Sequence, residues 1–203
     1  GDAHLLIHYQ ASTSYQADHK VAWMQNTDGS DQFGTSTIVD DSLDTSFGYT
    51  ELAIENIDGD SQNDIIVKGA DIQWYKNSDG NLTFGAPQKL PEAPEIFTTI
   101  SDIHAADLDG DGNGDILAAY PEEDAVAWFK YNKTDTSTFS FQGAVNNRAK
   151  DENGNGSIDY NEKGDAQNIQ WVSSADLDGD GKTDILSASE DDDKIAWYQN
   201  TGE

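Results

Sequence analysis

Short acidic loops are the part of this chain with the clearest potential for chemistry. Aspartate recurs at alternate positions in NIDGDSQND (56–64), DLDGDGNGD (107–115) and DLDGDGKTD (176–184). Hard oxygen ligands at positions one, three, five, seven and nine of a tight loop suit Ca²⁺, which takes six to eight of them at about 2.3 to 2.6 Å. Glycine at the sixth position of the second and third loops permits the turn that directs the next carbonyl inward.

The predicted ligands occupy the same positions in each loop. They are Asn56, Asp58, Asp60, Gln62 and Asp64; Asp107, Asp109, Asp111, Asn113 and Asp115; and Asp176, Asp178, Asp180, Lys182 and Asp184, with a backbone carbonyl from position seven. The first loop departs from the pattern, because Asn56 removes one charge and Ser61 replaces the turn glycine. Acidic β-turns in water are the alternative, but they do not explain why mutually repelling carboxylates recur at one spacing.

Residues 151–162, DENGNGSIDYNE, match the twelve-residue loop of an EF-hand. The predicted ligands are Asp151, Asn153, Asn155, Ser157 through its carbonyl, Asp159 and Glu162. The preceding GAVNNRAK is too short for a dependable helix, and Gly164 interrupts the exit. The helix pair of a calcium sensor is therefore not predicted. We expect instead a fourth Ca²⁺ site that orders an insertion.

A tryptophan repeat runs in step with the acidic loops. The strands VAWMQN, IQWYKN, VAWFKY and IAWYQN place Trp23, Trp74, Trp128 and Trp197 at intervals of 51, 54 and 69 residues. The first residues of the three loops are 51 and 69 residues apart. Since both series lengthen in the last unit, the segment at 145–166 is predicted to be an insertion.

The repeat length predicts the architecture. A period near 50 with short β-type segments is typical of an all-β propeller, in which each unit is a blade of four antiparallel strands. In one unit we predict strand one at ISDIHAAD, strand two at DILAAY, strand three around Trp128 and strand four near TFSFQGAV. Turn residues, as in YPEEDA, separate these segments.

The chain is predicted to be a single propeller region over residues 1–203. Its predicted parts are a partial blade at 1–47, blades at 48–98 and 99–144, the insertion at 145–166 and a partial blade at 167–203. The sequence provides three first, four second, four third and three fourth strands. We therefore predict an incomplete propeller, with further blades supplied by the rest of a longer polypeptide or by a partner chain.

The loops and tryptophan strands together carry a family resemblance. The unit SADLDGDGKTDILSASEDDDKIAWYQN resembles FG-GAP/VCBS repeats, the calcium-binding blades of integrin-α-like propellers that occur in many secreted bacterial proteins. The resemblance covers essentially the whole chain except the insertion. It implies Ca²⁺ in the three blade loops and an extracellular or periplasmic location. We expect the role of these ions, and of the one in the EF-hand-like loop, to be structural.

Composition argues against several classes of partner and of catalyst. The net charge of −28 disfavours nucleic acid and anionic membrane surfaces. No apolar run is long enough to span a bilayer. The sequence has no cysteine, GxSxG or HExxH motif. His104 is predicted to be a packed or hydrogen-bonded strand residue, and the repeated tryptophans core residues, whereas Trp171 lies outside their register and is freer to make a surface contact.

These observations favour a secreted or cell-surface binding module that lacks catalytic activity. Its expected function is adhesion, or recognition of a glycan or protein, with Ca²⁺ as a structural ion. One alternative is the propeller portion of a secreted polysaccharide-degrading enzyme. Another is an architectural part of a surface assembly.

Overall fold

The computed structural model describes residues 5–10, 19–26, 33–43, 50–78, 83–91, 93, 98–133, 138–145 and 166–202. These residues form four antiparallel sheets and contain no helix. The all-β fold is thus confirmed, and its successive sheets have the arrangement of a partial propeller. No helix with the length and apolar character of a membrane crossing occurs in the described part of the chain.

The strands follow one another in sequence within each sheet. Sheet I contains β1 (Leu5–Gln10), β2 (His19–Asn26) and β3 (Phe33–Leu43). Sheet II contains β4 (Glu51–Glu55), β5 (Asp64–Lys68), β6 (Ile72–Tyr75) and β7 (Gln88–Lys89). Sheet III contains β8 (Asp102–Ala106), β9 (Asp115–Tyr120), β10 (Ala125–Asn132) and β11 (Thr138–Ala144). Sheet IV contains β12 (Ile169–Ala175), β13 (Asp184–Ser189) and β14 (Lys194–Tyr198).

Sheets II and III are complete four-stranded meanders, whereas sheets I and IV have three described strands each. Each of sheets II, III and IV begins with a strand that leads into an acidic loop. Sheet I begins with the strand type that follows such a loop in the other sheets. Within the described ranges the sheets thus contain three first, four second, four third and three fourth strands.

The second strands of sheets II and III are buried along their whole length. Every residue of β5 and of β9 is buried, because each of these strands is packed on both faces. Runs such as DIIVK and DILAAY lack the polar alternation of a half-exposed strand for the same reason.

Three hydrophobic clusters lie between consecutive sheets. Between sheets I and II, Val21 packs with Ile65, Val67 and Tyr75. Between sheets II and III, the cluster is larger and richer in aromatic side chains, with members that include Trp74, Phe129, Tyr131 and Phe139. The cluster between sheets III and IV is mainly aliphatic and contains Leu117, Val126, Val172 and Ile185. The sheets are thus held face to face by apolar side chains.

Candidate metal centres

The three acidic loops occupy equivalent places in sheets II, III and IV. Each connects the first strand of its sheet to the second, and its ninth residue begins the second strand. The ninth-position aspartates Asp64, Asp115 and Asp184 are fully buried. One oxygen of each accepts a hydrogen bond from the backbone amide three residues after the repeat tryptophan. These bonds run from Asn77 to Asp64 (2.8 Å), from Tyr131 to Asp115 (2.9 Å) and from Asn200 to Asp184 (2.8 Å).

The first residue of the second and third loops closes each loop through its side chain. Asp107 accepts hydrogen bonds from the amides of Gly110 and Gly112 at 2.8 and 2.9 Å. Asp176 accepts the corresponding bonds from Gly179 and Gly181 at 2.7 and 3.0 Å. The two loops therefore have the same backbone design.

Positions three and five repeat the pattern in all three loops. Each of these carboxylates accepts a hydrogen bond from the backbone amide two residues later. The position-three bonds join Asp58 to Asp60 (3.2 Å), Asp109 to Asp111 (3.2 Å) and Asp178 to Asp180 (3.0 Å). The position-five bonds join Asp60 to Gln62 (2.9 Å), Asp111 to Asn113 (3.0 Å) and Asp180 to Lys182 (2.9 Å). The side chains are held near one another by short-range contacts of the loop itself.

Position six has a left-handed backbone in each loop. Its φ is 84° at Gly112 and 86° at Gly181. Ser61 takes the same conformation with φ of 72°, although a side chain makes this conformation unfavourable. The first loop therefore keeps the geometry of the other two at a cost in backbone strain.

The donor set fits a divalent cation with oxygen ligands. One carboxylate oxygen from each of Asp107, Asp109 and Asp111 lies within 4.8 Å of the others, and Asp176, Asp178 and Asp184 form a second such group. The buried Oδ2 of Asp115 has no hydrogen bond of ordinary geometry within the described ranges, although Trp128 and the Leu108 amide are near enough to oppose the rise that burial causes in the pKa of this carboxyl. An unpartnered carboxylate oxygen is costly in a protein interior unless a cation or donor reaches it.

Burial also changes the acidity of the ninth-position carboxyls. It raises the pKa of Asp64 to about 6 and that of Asp115 to about 6. The Asn200 backbone amide instead lowers the pKa of Asp184. A bound cation would favour the ionised form at all three positions, opposing the effect of burial.

Neighbouring loops are joined across the sheet boundaries. The Gly114 amide lies 3.1 Å from the carbonyl oxygen of Asn56 and 3.0 Å from that of Ile57. The Asn200 side-chain amide donates to the carbonyl of Leu108 at 2.7 Å. The three loops therefore form one continuous acidic rim along sheets II to IV.

Part of the chain matches a known family of repeats. Residues 56–118, which include the first two loops, match the model of an FG-GAP-like repeat. The match supports the FG-GAP-like repeat family. No curated protein matches the chain.

Solved structures share the fold of this chain. An Agrocybe aegerita lectin, described for its specific recognition of non-reducing terminal N-acetylglucosamine, aligns with 100% of this chain at 20% identity and a TM-score of 0.56. The Photorhabdus luminescens Tc holotoxin pore aligns with 89% of it at 17% identity and a TM-score of 0.51. The chain spans 50% of the lectin chain and 8% of the toxin chain. At these identities the likeness shows the fold alone.

The fourth predicted metal site lies outside the described residues. It comprises Asp151, Asn153, Asn155, Ser157, Asp159 and Glu162. Most of the predicted insertion at 145–166 lies there too. The site therefore stays a prediction, separate from the three loops of sheets II, III and IV.

Lysines that accompany the loops were missed by the sequence analysis. Lys76 and Lys130 each stand two residues after a repeat tryptophan and form ion pairs with loop carboxylates. Their shared position relative to Trp74 and Trp128 was a signal that could have identified them. These two ammonium groups offset part of the negative charge of the loops, which we expected bound Ca²⁺ to offset.

His104 and two of the tryptophans lie in the environments that the sequence predicts, and one tryptophan does not. His104 is hydrogen-bonded to the Ser174 hydroxyl at 3.0 Å, across the boundary between sheets III and IV, as expected for a packed strand residue. Trp74 is buried in the core, as predicted. Trp197 is 50% exposed, which contradicts its prediction as a core residue. Trp171 is 47% exposed, in agreement with its predicted freedom for surface contact.

Proposed function

We propose that this chain is a recognition domain of propeller type, without catalytic activity, in which the acidic loops bind structural Ca²⁺. One observation carries the proposal: aspartates at positions three, five and nine of an acidic loop make the same hydrogen bonds at the same place in three consecutive sheets. A catalytic centre needs one special arrangement, whereas a stabilising device is useful in every repeat. Carboxylate oxygens are also the ligands that Ca²⁺ prefers.

Bound Ca²⁺ would supply the positive charge that allows the clustered carboxylates to remain ionised. The chain's own residues do the remaining work. The backbone amides of Gly110 and Gly112 orient Asp107, and those of Gly179 and Gly181 orient Asp176. The ninth-position aspartates connect each loop to the third strand of its sheet. Filling a loop therefore stabilises the sheet around it.

Recognition of a glycan is supported by the fold shared with the lectin that recognises non-reducing terminal N-acetylglucosamine. The fold is compatible with other functions, so this support comes by analogy. Secretion or display at the cell surface follows from the proposed use of Ca²⁺, which is abundant outside cells. Recognition of a protein ligand and an architectural role in a surface assembly are the other non-catalytic functions compatible with this fold.

Calcium dependence is tested by thermal unfolding in EDTA and in millimolar CaCl₂. We expect CaCl₂ to raise the melting temperature, because each site at a hundredfold its Kd adds about 2.7 kcal/mol. Asp176→Asn should reduce the gain, whereas Asp71→Asn, which removes the ion pair with Lys89 away from the loops, should preserve it. Melting temperatures that do not differ between EDTA and CaCl₂ would contradict the proposal.

Recognition is tested on a glycan array with Ca²⁺ present, including glycans that end in non-reducing N-acetylglucosamine. Specific binding that is lost in EDTA supports the proposed function. An assay for turnover of acidic polysaccharides, run on the same preparation, tests the enzyme alternative. Turnover that survives repurification and is lost on substitution of a carboxylate would overturn the non-catalytic assignment.

A further inference from the structure

In the first two acidic loops, the lysine two residues after the repeat tryptophan forms an ion pair with the carboxylate at position three. Lys130 extends from β10 and forms an ion pair with Asp109, and its ammonium lies 3.1 Å from Asp111 Oδ2. These are two members of the carboxylate group in the second loop. A lysine side chain is protonated in neutral water, so Lys130 brings a full positive charge to this group.

The first loop repeats this arrangement. Lys76 extends from the end of β6, forms an ion pair with Asp58 and lies 3.6 Å from Asp60 Oδ2. A second ammonium, that of Lys133 from sheet III, donates to the Asp58 carbonyl at 2.7 Å. This loop also has the neutral Asn56 at its first position. Its excess negative charge is thus the smallest of the three.

The third loop differs at the equivalent position, which is occupied by Gln199. The neutral amide of Gln199 donates to Asp178 Oδ2 at 2.6 Å. The loop's own Lys182 lies 3.1 Å from Asp180 Oδ2 and donates to the Thr201 carbonyl. Asp180 is not part of the close carboxylate group of Asp176, Asp178 and Asp184. That group therefore contacts an amide where the second loop's group contacts an ammonium.

An ammonium and a calcium ion compete for the same carboxylate oxygens. A cation that enters the second loop must displace Lys130 or share Asp109 and Asp111 with it. Displacement breaks an ion pair, and sharing brings two positive charges together, so each lowers the affinity for the cation. A cation that enters the third loop has only to replace or rearrange the hydrogen bond of Gln199. The charge two residues after the repeat tryptophan thus controls how attractive each loop is to a metal.

We propose that Lys76 and Lys130 are built-in counter-cations of the first two loops, so that the loop at 176–184 binds Ca²⁺ most tightly. This inference rests on the proposed function, since it ranks the loops that were assigned to Ca²⁺. It makes the residue two positions after the repeat tryptophan a determinant of affinity that can be exchanged between sheets. In the first two loops a lysine ammonium pairs with the position-three carboxylate, whereas in the third loop Lys182 pairs with the position-five carboxylate and the position-three carboxylate receives the neutral amide of Gln199.

Isothermal titration of the chain with Ca²⁺ tests the ranking. All proteins carry Glu162→Gln, which removes the position-twelve carboxylate of the predicted EF-hand-like loop. We expect a tight class of site that Asp176→Asn abolishes. Lys130→Gln and Lys76→Gln should each tighten a weaker site about tenfold or more, and Gln199→Lys should weaken the tight site to a similar extent.

Lys194→Gln is the matched control, because it removes one lysine charge from the pair with Asp192, outside the acidic loops. It should change Ca²⁺ affinity less than twofold. Calcium binding that changes no more in Lys130→Gln and Gln199→Lys than in this control overturns the inference and leaves the proposed function standing. Absence of calcium binding from the unsubstituted loops and from both lysine variants overturns the proposed function itself. Circular dichroism of each variant shows that the sheets are intact.

Discussion

Trp74 in sheet II and Trp197 in sheet IV occupy the same position in their strands and lie in opposite environments. Each is the repeat tryptophan of a third strand, paired with an aliphatic residue of the second strand, Ile66 or Leu186. Trp74 is 1% exposed and Trp197 is 50% exposed. The difference teaches that the next sheet, and not the strand's own sequence, buries the repeat tryptophan.

The next sheet covers Trp74 with aromatic rings. Tyr131 and Phe139 of sheet III meet it edge to face, with ring centroids 5.4 and 6.0 Å away. Such pairs add attraction beyond the apolar area that they bury. On sheet IV the corresponding face, which carries Trp171, Ile195 and Trp197, is exposed among the described residues. Sheet II therefore has a covered face where sheet IV has an open one.

The largest expected effect is that of Trp74→Ala. It should lower the free energy of unfolding by about 3 to 5 kcal/mol, because it leaves a cavity between two packed sheets. Urea unfolding followed by circular dichroism measures the loss. Trp74→Phe, which keeps an aromatic ring against Tyr131, should cost less. A loss below about 1 kcal/mol for Trp74→Ala would remove the basis of the comparison.

An intermediate loss of stability is expected where a polar contact joins the first strands of sheets III and IV, β8 and β12. Asp102 Oδ2 accepts a hydrogen bond from the Val172 backbone amide at 2.9 Å. Asp102→Ala leaves this amide without its partner and should cost about 1 to 3 kcal/mol. Burial raises the pKa of Asp102, so its ionised form carries a desolvation penalty. Asp102→Asn keeps an acceptor without that charge and should cost less in the same urea assay. Equal losses for the two variants would show that the hydrogen bond contributes little.

The sequence predicted the sheets well because its signals are local and repeated. The run DILAAY, the turn after Tyr120 and the strand around Trp128 define a hairpin without help from distant residues. The same holds for positions one, three and five of the acidic loops, where the hydrogen bonds join residues two to five positions apart. Local chemistry of this kind can be recognised from spacing alone.

The features that were missed depend on neighbours that are distant in sequence. The flanking residues of Trp197 resemble those of Trp74, so no sequence pattern distinguishes an exposed tryptophan from a covered one. Lys130 reaches Asp109 across 21 positions, and only the strand pairing brings them together. Ser61 was recognised as a departure from glycine, but its left-handed backbone became evident only from the folded loop. Such contacts belong to the tertiary structure.

The smallest effect is expected from Trp197→Ala, and it is the sharpest test of the comparison. A half-exposed side chain loses little buried area on truncation, so the free energy of unfolding should fall by less than about 1 kcal/mol. Urea unfolding at several protein concentrations, with sedimentation velocity on the same samples, measures it. A loss as large as that of Trp74→Ala would mean that the open face of sheet IV is covered in solution. The tryptophans of sheets II and IV would then have equivalent roles, because each would be buried by a neighbouring sheet.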